Sequence, residues 1–198
     1  ELIANEPPMS VSFEPVKVKD TPGLPKVMLQ GTGGTIASRL DYATGGVIPA
    51  FKPEELMTAI PEIAEVCNLK THNVSQIFSE DMSPKDWKVM AENVIKDIGS
   101  FDGIVISHGT DTMAYSASAL SFMLKDLNKP VILVGSQRSS DRPSSDGVIN
   151  LLNAMTVAGN ADLAEVAISM LGTSDHIYGF IHRGTRVRKM HSSARHTF

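Results

Sequence analysis

The stretch "KVMLQGTGGTIAS", residues 26–38, joins a short apolar run to three glycines and two threonines. An uninterrupted apolar run of this length reads as a strand buried on both faces, as in a parallel sheet. Residues directly behind such a strand lie at its carboxyl end, where open α/β sheets bind ligands. The same grammar recurs downstream. "GIVIS" (103–107) is followed by "HGTDT", "PVILVG" (130–135) by "SQRSSDRPSSD", and "EVAISML" (165–171) closes the series. "THNVSQIF" (71–78) is a weaker, more alternating strand, followed by "SED".

Helical patterns separate these runs. "KPEELMTAIPEIAEV" (52–66) opens with Pro53 and acids in its first turn, and Pro61 should break or kink it. "SPKDWKVMAENVIKDIG" (83–99) has Ser83 as cap, Asp86 in the first turn and Gly99 as a stop. Its Trp87, Met90, Ala91, Val94, Ile95 and Ile98 fall at helical spacing. "DTMAYSASALSFMLKDL" (111–127) and "DGVINLLNAMTVAGN" (146–160) complete the set, with Asp146 expected to cap the latter. Strands alternating with helices predict an α/β fold: a doubly wound, mainly parallel sheet with helices on both faces. Residues 1–25, with five prolines and little periodicity, read as a linker or extended arm ahead of a domain over 26–198.

Composition bounds the function. The chain has 198 residues, 42% of them hydrophobic, enough for one sizeable core. Its net charge of −4 gives no basic footprint for autonomous nucleic-acid binding. The one cysteine, Cys67, excludes an internal disulfide and fits a reducing compartment, and its apolar setting in "PEIAEVCNL" reads as core. No apolar stretch approaches the ~20 residues of a membrane span, and no signal peptide is recognisable. We therefore expect a cytoplasmic protein without a membrane partner. The missing initiator Met and the end at "SSARHTF" lead us to expect a piece of something longer.

Three chemistries could explain "GTGGT". A phosphate loop needs a Lys-Ser/Thr pair after its last glycine, but Gly34 is followed by Thr35, Ile36 and Ala37. A dinucleotide fingerprint needs a small third residue for helix–strand packing, and Ile36 stands there. A hydroxyl nucleophile remains. It needs a base, a group that places the base, and donors for the oxyanion. Glycine-rich backbone supplies such donors unobstructed, and the next strand end offers Thr110 and Asp111. Singly, each threonine reads as a turn residue. At adjacent strand ends, the pair favours chemistry. The six histidines form no HxxxH or HExxH pattern with an acid at ligand spacing, so no metal is expected. His108, before Gly109, reads as a residue that orders the turn.

These motifs resemble those of the L-asparaginase/glutaminase amidohydrolase family. "TGGTIAS", "SEDM", "HGTDTMAYSASAL", "KPVILVGSQRSSDRPSSDGVINLLNA" and "GTRVRKMHSSARHTF" occur in the family's order and spacing from about Lys26 onward. Within the family, "GSQRSSDRPSSD" is most similar to the glutaminase subunits of archaeal glutamyl-tRNA(Gln) amidotransferases. The resemblance implies a domain that hydrolyses L-glutamine through a threonyl acyl-enzyme. It makes Thr35 the primary nucleophile and places Tyr42 on a mobile flap beside it. Thr110, Asp111 and Lys189 would form a Thr-Asp-Lys set, with Lys189 and Asp111 a buried pair. Gly34, Ser79, Glu80, Gly109, Thr110 and Asp111 would hold the substrate, Ser79 on its α-carboxylate. Glu80 stands where many bacterial asparaginases have Gln, a departure from a simple asparaginase. The resemblance also implies a smaller C-terminal domain and a small β domain ahead of the linker, both absent from this sequence. Partners would be the ATP-using amidotransferase subunit that phosphorylates Glu on tRNA, a second copy of this chain, and tRNA mainly through the ATP-using partner. No cofactor is expected on this chain, with ATP and Mg on that partner. The alternatives are a stand-alone L-asparaginase and an inactive amino-acid or partner binding module.

Overall fold

The computed structural model describes residues 20–34, 36, 38–40, 47–49, 60–139, 142–175 and 177–198. The elements run β1 (Lys26–Gly33), β2 (Ser38–Leu40), β3 (Val47–Pro49), α1 (Ile63–Val66), β4 (Asn68–Ile77), α2 (Pro84–Ile98), β5 (Gly103–Ser107), α3 (Met113–Met123), β6 (Val131–Val134), α4 (Gly147–Asn160), β7 (Val166–Leu171) and β8 (Gly179–Arg183). A six-stranded sheet has the order β4-β1-β5-β6-β7-β8, and β2 pairs antiparallel with β3 apart from it. Every pairing in the large sheet is parallel except β7 with β8. The expected doubly wound sheet is thus present. The edge strand β8 was not foreseen, because "YGFIHR" is too polar and too short to stand out.

Alternate residues of each strand serve opposite faces, as the pleat requires. Val27, Leu29, Val105, Ile132 and Val134 pack with Ile63 of α1 and with Leu151, Ala154 and Met155 of α4. Met28, Ile104, Ile106, Leu133 and Ile168 pack on the other face with Met90 and Val94 of α2 and Met113, Ala117 and Leu120 of α3. Moving from β5 to β6 and from β6 to β7, the chain steps across the sheet in one direction. Yet α3 and α4 lie on opposite faces. The β6–α4–β7 unit therefore has the opposite hand to the other three crossovers. About 98% of such connections are right-handed, which marks this one as the exception.

The α2 start is as the sequence requires: Ser83 forms a capping box with Asp86. Ile95 corrects the expected apolar face, being 64% exposed. Helix α3 is shorter than the pattern over 111–127, ending at Met123. Asp146 is a further correction. Its carboxylate makes no cap bond to α4 and instead accepts from the backbone N–H of Gln137 and Arg138 at 3.0–3.1 Å and from Asn150 Nδ2 at 3.0 Å. Cys67 is core, and burial pushes its thiol up to about 11. The arm expected over 1–25 lies outside the described residues as far as residue 19. Its last residues are clamped by Asn68, which exchanges hydrogen bonds with Thr21 at 2.7 and 2.9 Å. Most of the helix expected over 52–66 also lies outside the described residues.

Candidate functional site

Strand order reverses at β1: the chain leaves β1 to form β4 on one side and returns to form β5 on the other. Such a switch point opens a crevice beyond the strand ends. Small residues let three loops close on one another there. Gly34 has φ +84°, and a Cβ on it would fall 2.3 Å from the Gly109 nitrogen. A Cβ on Gly109 would fall 2.6 Å from Ser79 Oγ. The loop after β6 joins them, since a Cβ on Gly135 would fall 2.7 Å from the His108 oxygen and 2.9 Å from Thr110 Cγ2.

Hydroxyls fasten these loops. Thr32 Oγ1 donates to the Ser107 carbonyl at 2.6 Å, tying β1 to β5, so the first threonine of "GTGGT" serves the sheet. Thr112 Oγ1 donates to the Ser79 carbonyl at 2.7 Å. Ser79 is 3% exposed in a 3-10 turn over Ser79–Asp81, with Glu80 exposed beside it. The described parts of the loop after β6, residues 135–139 and 142–146, are held by Asp146 and by Asn150, whose Nδ2 donates to the Gly135 carbonyl at 3.0 Å. Within these parts, Arg138 Nη1 donates to the Pro143 carbonyl, and Arg195 Nη2 to that of Ser144, both at 2.8 Å.

A lysine arrives from far along the chain. After β8 the backbone turns at Arg183, whose guanidinium grips Glu165 at 2.8 and 2.9 Å. It then runs without regular structure, Val187 packing on the core, to place Lys189 Nζ 2.7 Å from Asp111 Oδ1 and 2.9 Å from Thr110 Oγ1. Thr110 is 4% exposed. The side chain of Lys189 is 11% exposed and that of Asp111 63%. The expected buried pair is thus corrected: the lysine is enclosed, whereas the aspartate faces the cleft. A cavity of about 270 Å³ beside the pair is lined by Asp111, Tyr115, Arg188, Lys189, Met190 and His191. A larger cavity, near Glu165 and Arg183 at the opposite end of β7, shares no residue with this cluster.

The structure brings together Gly34, Ser79, Gly109, Thr110, Asp111 and Lys189. Thr35 and Tyr42 lie outside the described residues. Among the described residues, no group of three or more His, Cys, Asp or Glu is placed to hold a metal, and no helix is long and apolar enough to cross a membrane. The sequence reading missed the Asp146–Asn150–Gly135 network, for which the spacing of Asp146 and Asn150 by one helical turn was the available signal.

Fold and site together define a doubly wound α/β protein with a hydrogen-bonded lysine–aspartate–threonine cluster at its switch point. Residues 26–198 match the family model "Asparaginase, N-terminal", and the chain belongs to the asparaginase family. It is 55% identical over 189 residues to a glutamyl-tRNA(Gln) amidotransferase subunit of Pyrococcus abyssi, covering 95% of this chain and 43% of that protein. It is 51% identical over 187 residues to the corresponding amidotransferase subunit of Methanosarcina mazei, covering 93% and 44%. The chain thus spans less than half the length of these relatives. Among solved structures, L-asparaginase I from Vibrio cholerae superposes with a TM-score of 0.74 at 37% identity, covering 86% of this chain and 50% of that one. The thermostable L-asparaginase from Thermococcus kodakarensis superposes with a TM-score of 0.73 at 32% identity, covering 87% and 50%.

Proposed function

We propose that the full-length protein is the glutaminase component of a glutamyl-tRNA(Gln) amidotransferase, hydrolysing L-glutamine to supply ammonia for making Gln-tRNA(Gln). The contact of Lys189 Nζ with both Thr110 Oγ1 and Asp111 Oδ1 carries this reading. An alcohol attacks a carboxamide only when a base takes its proton, and an enclosed lysine beside a carboxylate can do so once deprotonated. As an ammonium, Lys189 donates to both partners. As an amine, it accepts the Thr110 proton. Asp111 Oδ2 has no partner among the described residues and faces the cleft, suiting it to a substrate α-ammonium.

In this scheme a threonine oxygen, that of Thr35 by family resemblance, attacks the carboxamide carbon, and its proton passes through Thr110 to Lys189. The C–N bond breaks and ammonia leaves with a returned proton. Water then cleaves the ester, releasing glutamate. Tyr42 attends the nucleophile, while Ser79, Glu80, Gly34 and Gly109 shape the substrate's end of the cleft. The setting is the cytoplasm. The ATP-using subunit of the amidotransferase holds ATP and Mg and meets the tRNA, and a second copy of this chain completes the assembly.

The full-length protein with its ATP-using partner should release ammonia from L-glutamine faster than from L-asparagine, and Thr35→Ala should abolish that release while leaving the fold intact. Equal or faster turnover of asparagine, indifferent to Glu-tRNA and to the ATP-using partner, would assign a stand-alone asparaginase instead. Calorimetric binding of L-glutamate by wild type without any turnover would assign a binding module.

A further inference from the structure

The chain behind Lys189 closes on itself around a histidine that the scheme above does not use. Lys189 lies outside every helix and strand. No backbone hydrogen bond among the described residues holds Val187, Arg188 or Lys189. The main chain is next fixed at Met190, whose N–H donates to the Thr197 carbonyl at 2.6 Å. Thr197 is 2% exposed and also grips His191: its Oγ1 accepts from the His191 N–H at 2.8 Å and donates to the His191 carbonyl. Residues 190–197 thus leave and rejoin at one point, as a compact loop of the Ω kind.

The imidazole of His191 braces the inside of this loop. Its Nδ1 accepts from the backbone N–H of Ser193 and from that of Ala194, each at 3.1 Å. An amide N–H can only donate, so Nδ1 is bare and the ring proton sits on Nε2. A side-chain acceptor that takes the N–H groups just ahead of it is how Asn and Asp brace turns. The ring here does the work of a short carboxamide. The far side of the loop is tied to neighbouring strand ends, by Arg195 to the Ser144 carbonyl and by His196, whose Nδ1 lies 2.9 Å from Ser174 Oγ. Its entry, next to Lys189, is left to Thr197 and to the His191 ring. His191 also lines the cavity shared by Lys189 and Asp111. Among the described residues, no hydrogen bond joins its ring to either of them, and both its recorded ring contacts go to the loop's own amides.

We propose that His191 is a positioning residue: by accepting the Ser193 and Ala194 amides it fixes the entry of the 190–197 loop, and so holds Lys189 Nζ between Thr110 Oγ1 and Asp111 Oδ1. The proposal rests on the amide-hydrolysis reading above. The imidazole moves no proton and touches no substrate. It acts through the backbone, and its effect falls on the rate, because a base displaced by about 1 Å can cost about 10²-fold.

The test uses the full-length protein with its ATP-using partner. Nitrogen spectra of ¹⁵N-histidine-labelled wild type, with the His191 signals identified by their loss in His191→Asn, should show the Nε2–H tautomer with a bare Nδ1; an Nδ1–H tautomer overturns the proposal. His191→Phe keeps the bulk of a ring and removes the acceptor. It should lower kcat for glutamine by about 10²-fold and leave the dissociation constant for L-glutamate within about threefold. His191→Asn, whose Oδ1 can take the same two amides, should recover most of the lost rate. A folded phenylalanine variant with unimpaired kcat, or with rate and affinity lost in equal measure, overturns the positioning role. An asparagine variant as slow as the phenylalanine one overturns it too, since the imidazole itself would then be needed. Should the phenylalanine variant not fold, the tautomer and the rate of His191→Asn decide. A wild type that releases no ammonia from glutamine or asparagine removes the hydrolase reading and this proposal with it. An active wild type with an unimpaired phenylalanine variant removes this proposal alone.

Discussion

Lys189 shows how much of a site can hang on one contact. In "RVRKMH" it is one cation among several, and by composition it reads as a solvated charge. Only the family motif marked it, because nothing local encodes a partner 78 residues away. In the structure its head lies between an enclosed threonine and an exposed carboxylate, and that asymmetry sets what each substitution does. Lys189→Met should lower kcat by about 10²–10⁴-fold, the usual contribution of a positioned base, with KM nearly unchanged. Stability should shift by no more than about 1 kcal/mol, because the aspartate left behind faces water. Asp111→Asn should lose rate and also raise KM, because Asp111 touches the lysine and, in the function proposed above, receives the substrate α-ammonium. Steady-state kinetics of the two variants, with urea unfolding for each, check both statements. A methionine variant within a few-fold of wild type would leave the Thr35 assignment without a base.

At the scale of elements, the site is made by turns meeting where strands end, and glycine permits the meeting. Gly34→Ala should be severe: φ is +84°, and the new Cβ would fall 2.3 Å from backbone that cannot move aside cheaply. We expect about 3 kcal/mol or more of lost stability and near-complete loss of turnover, read by thermal unfolding and ammonia release. Asp146→Ala should cost about 3–5 kcal/mol. It leaves the amides of Gln137 and Arg138 and the side chain of Asn150 without their shared acceptor. Strand-end clusters of glycine, hydroxyl and carboxylate were legible in the sequence because both faces of a parallel sheet are buried, which turns each strand into a visible apolar run. The role of Asp146 was misread for a physical reason. An aspartate ahead of a helix has a local use as a cap, and its actual use, binding the loop that leaves the previous strand, depends on folding that a linear reading does not contain. Strand β8 escaped for the converse reason, since an edge strand is buried on one side at most and leaves no apolar run.

For the whole molecule, the sheet was readable and the hand of its last crossover was not. Handedness depends on which face α4 packs against, and an apolar stripe such as that of Leu151, Ala154 and Met155 fits either face equally. The complete fold adds an enclosure, and enclosure makes stability depend on pH. His108 is neutral when folded because burial holds its pKa at about 4, against an ordinary value of 6.5. Between those values the unfolded chain binds a proton that the folded chain refuses, so stability rises with pH across the window. The contribution is whole above about pH 6.5 and is lost as pH falls towards 4. The loss is about 1.4 kcal/mol for each pH unit, hence about 3 kcal/mol in all. His182, also pushed down by partial burial, works in the same direction. Asp86, held below the usual carboxylate range by its hydrogen bonds from Ser83, adds a loss only below about pH 4. Urea unfolding at pH 7, 5.5 and 4.5 should therefore show a falling midpoint, and His108→Leu should flatten most of that slope while being less stable at pH 7. A slope unchanged in the leucine variant would mean that another group refuses the proton, and that the imidazole beneath the site does not stay neutral through the window.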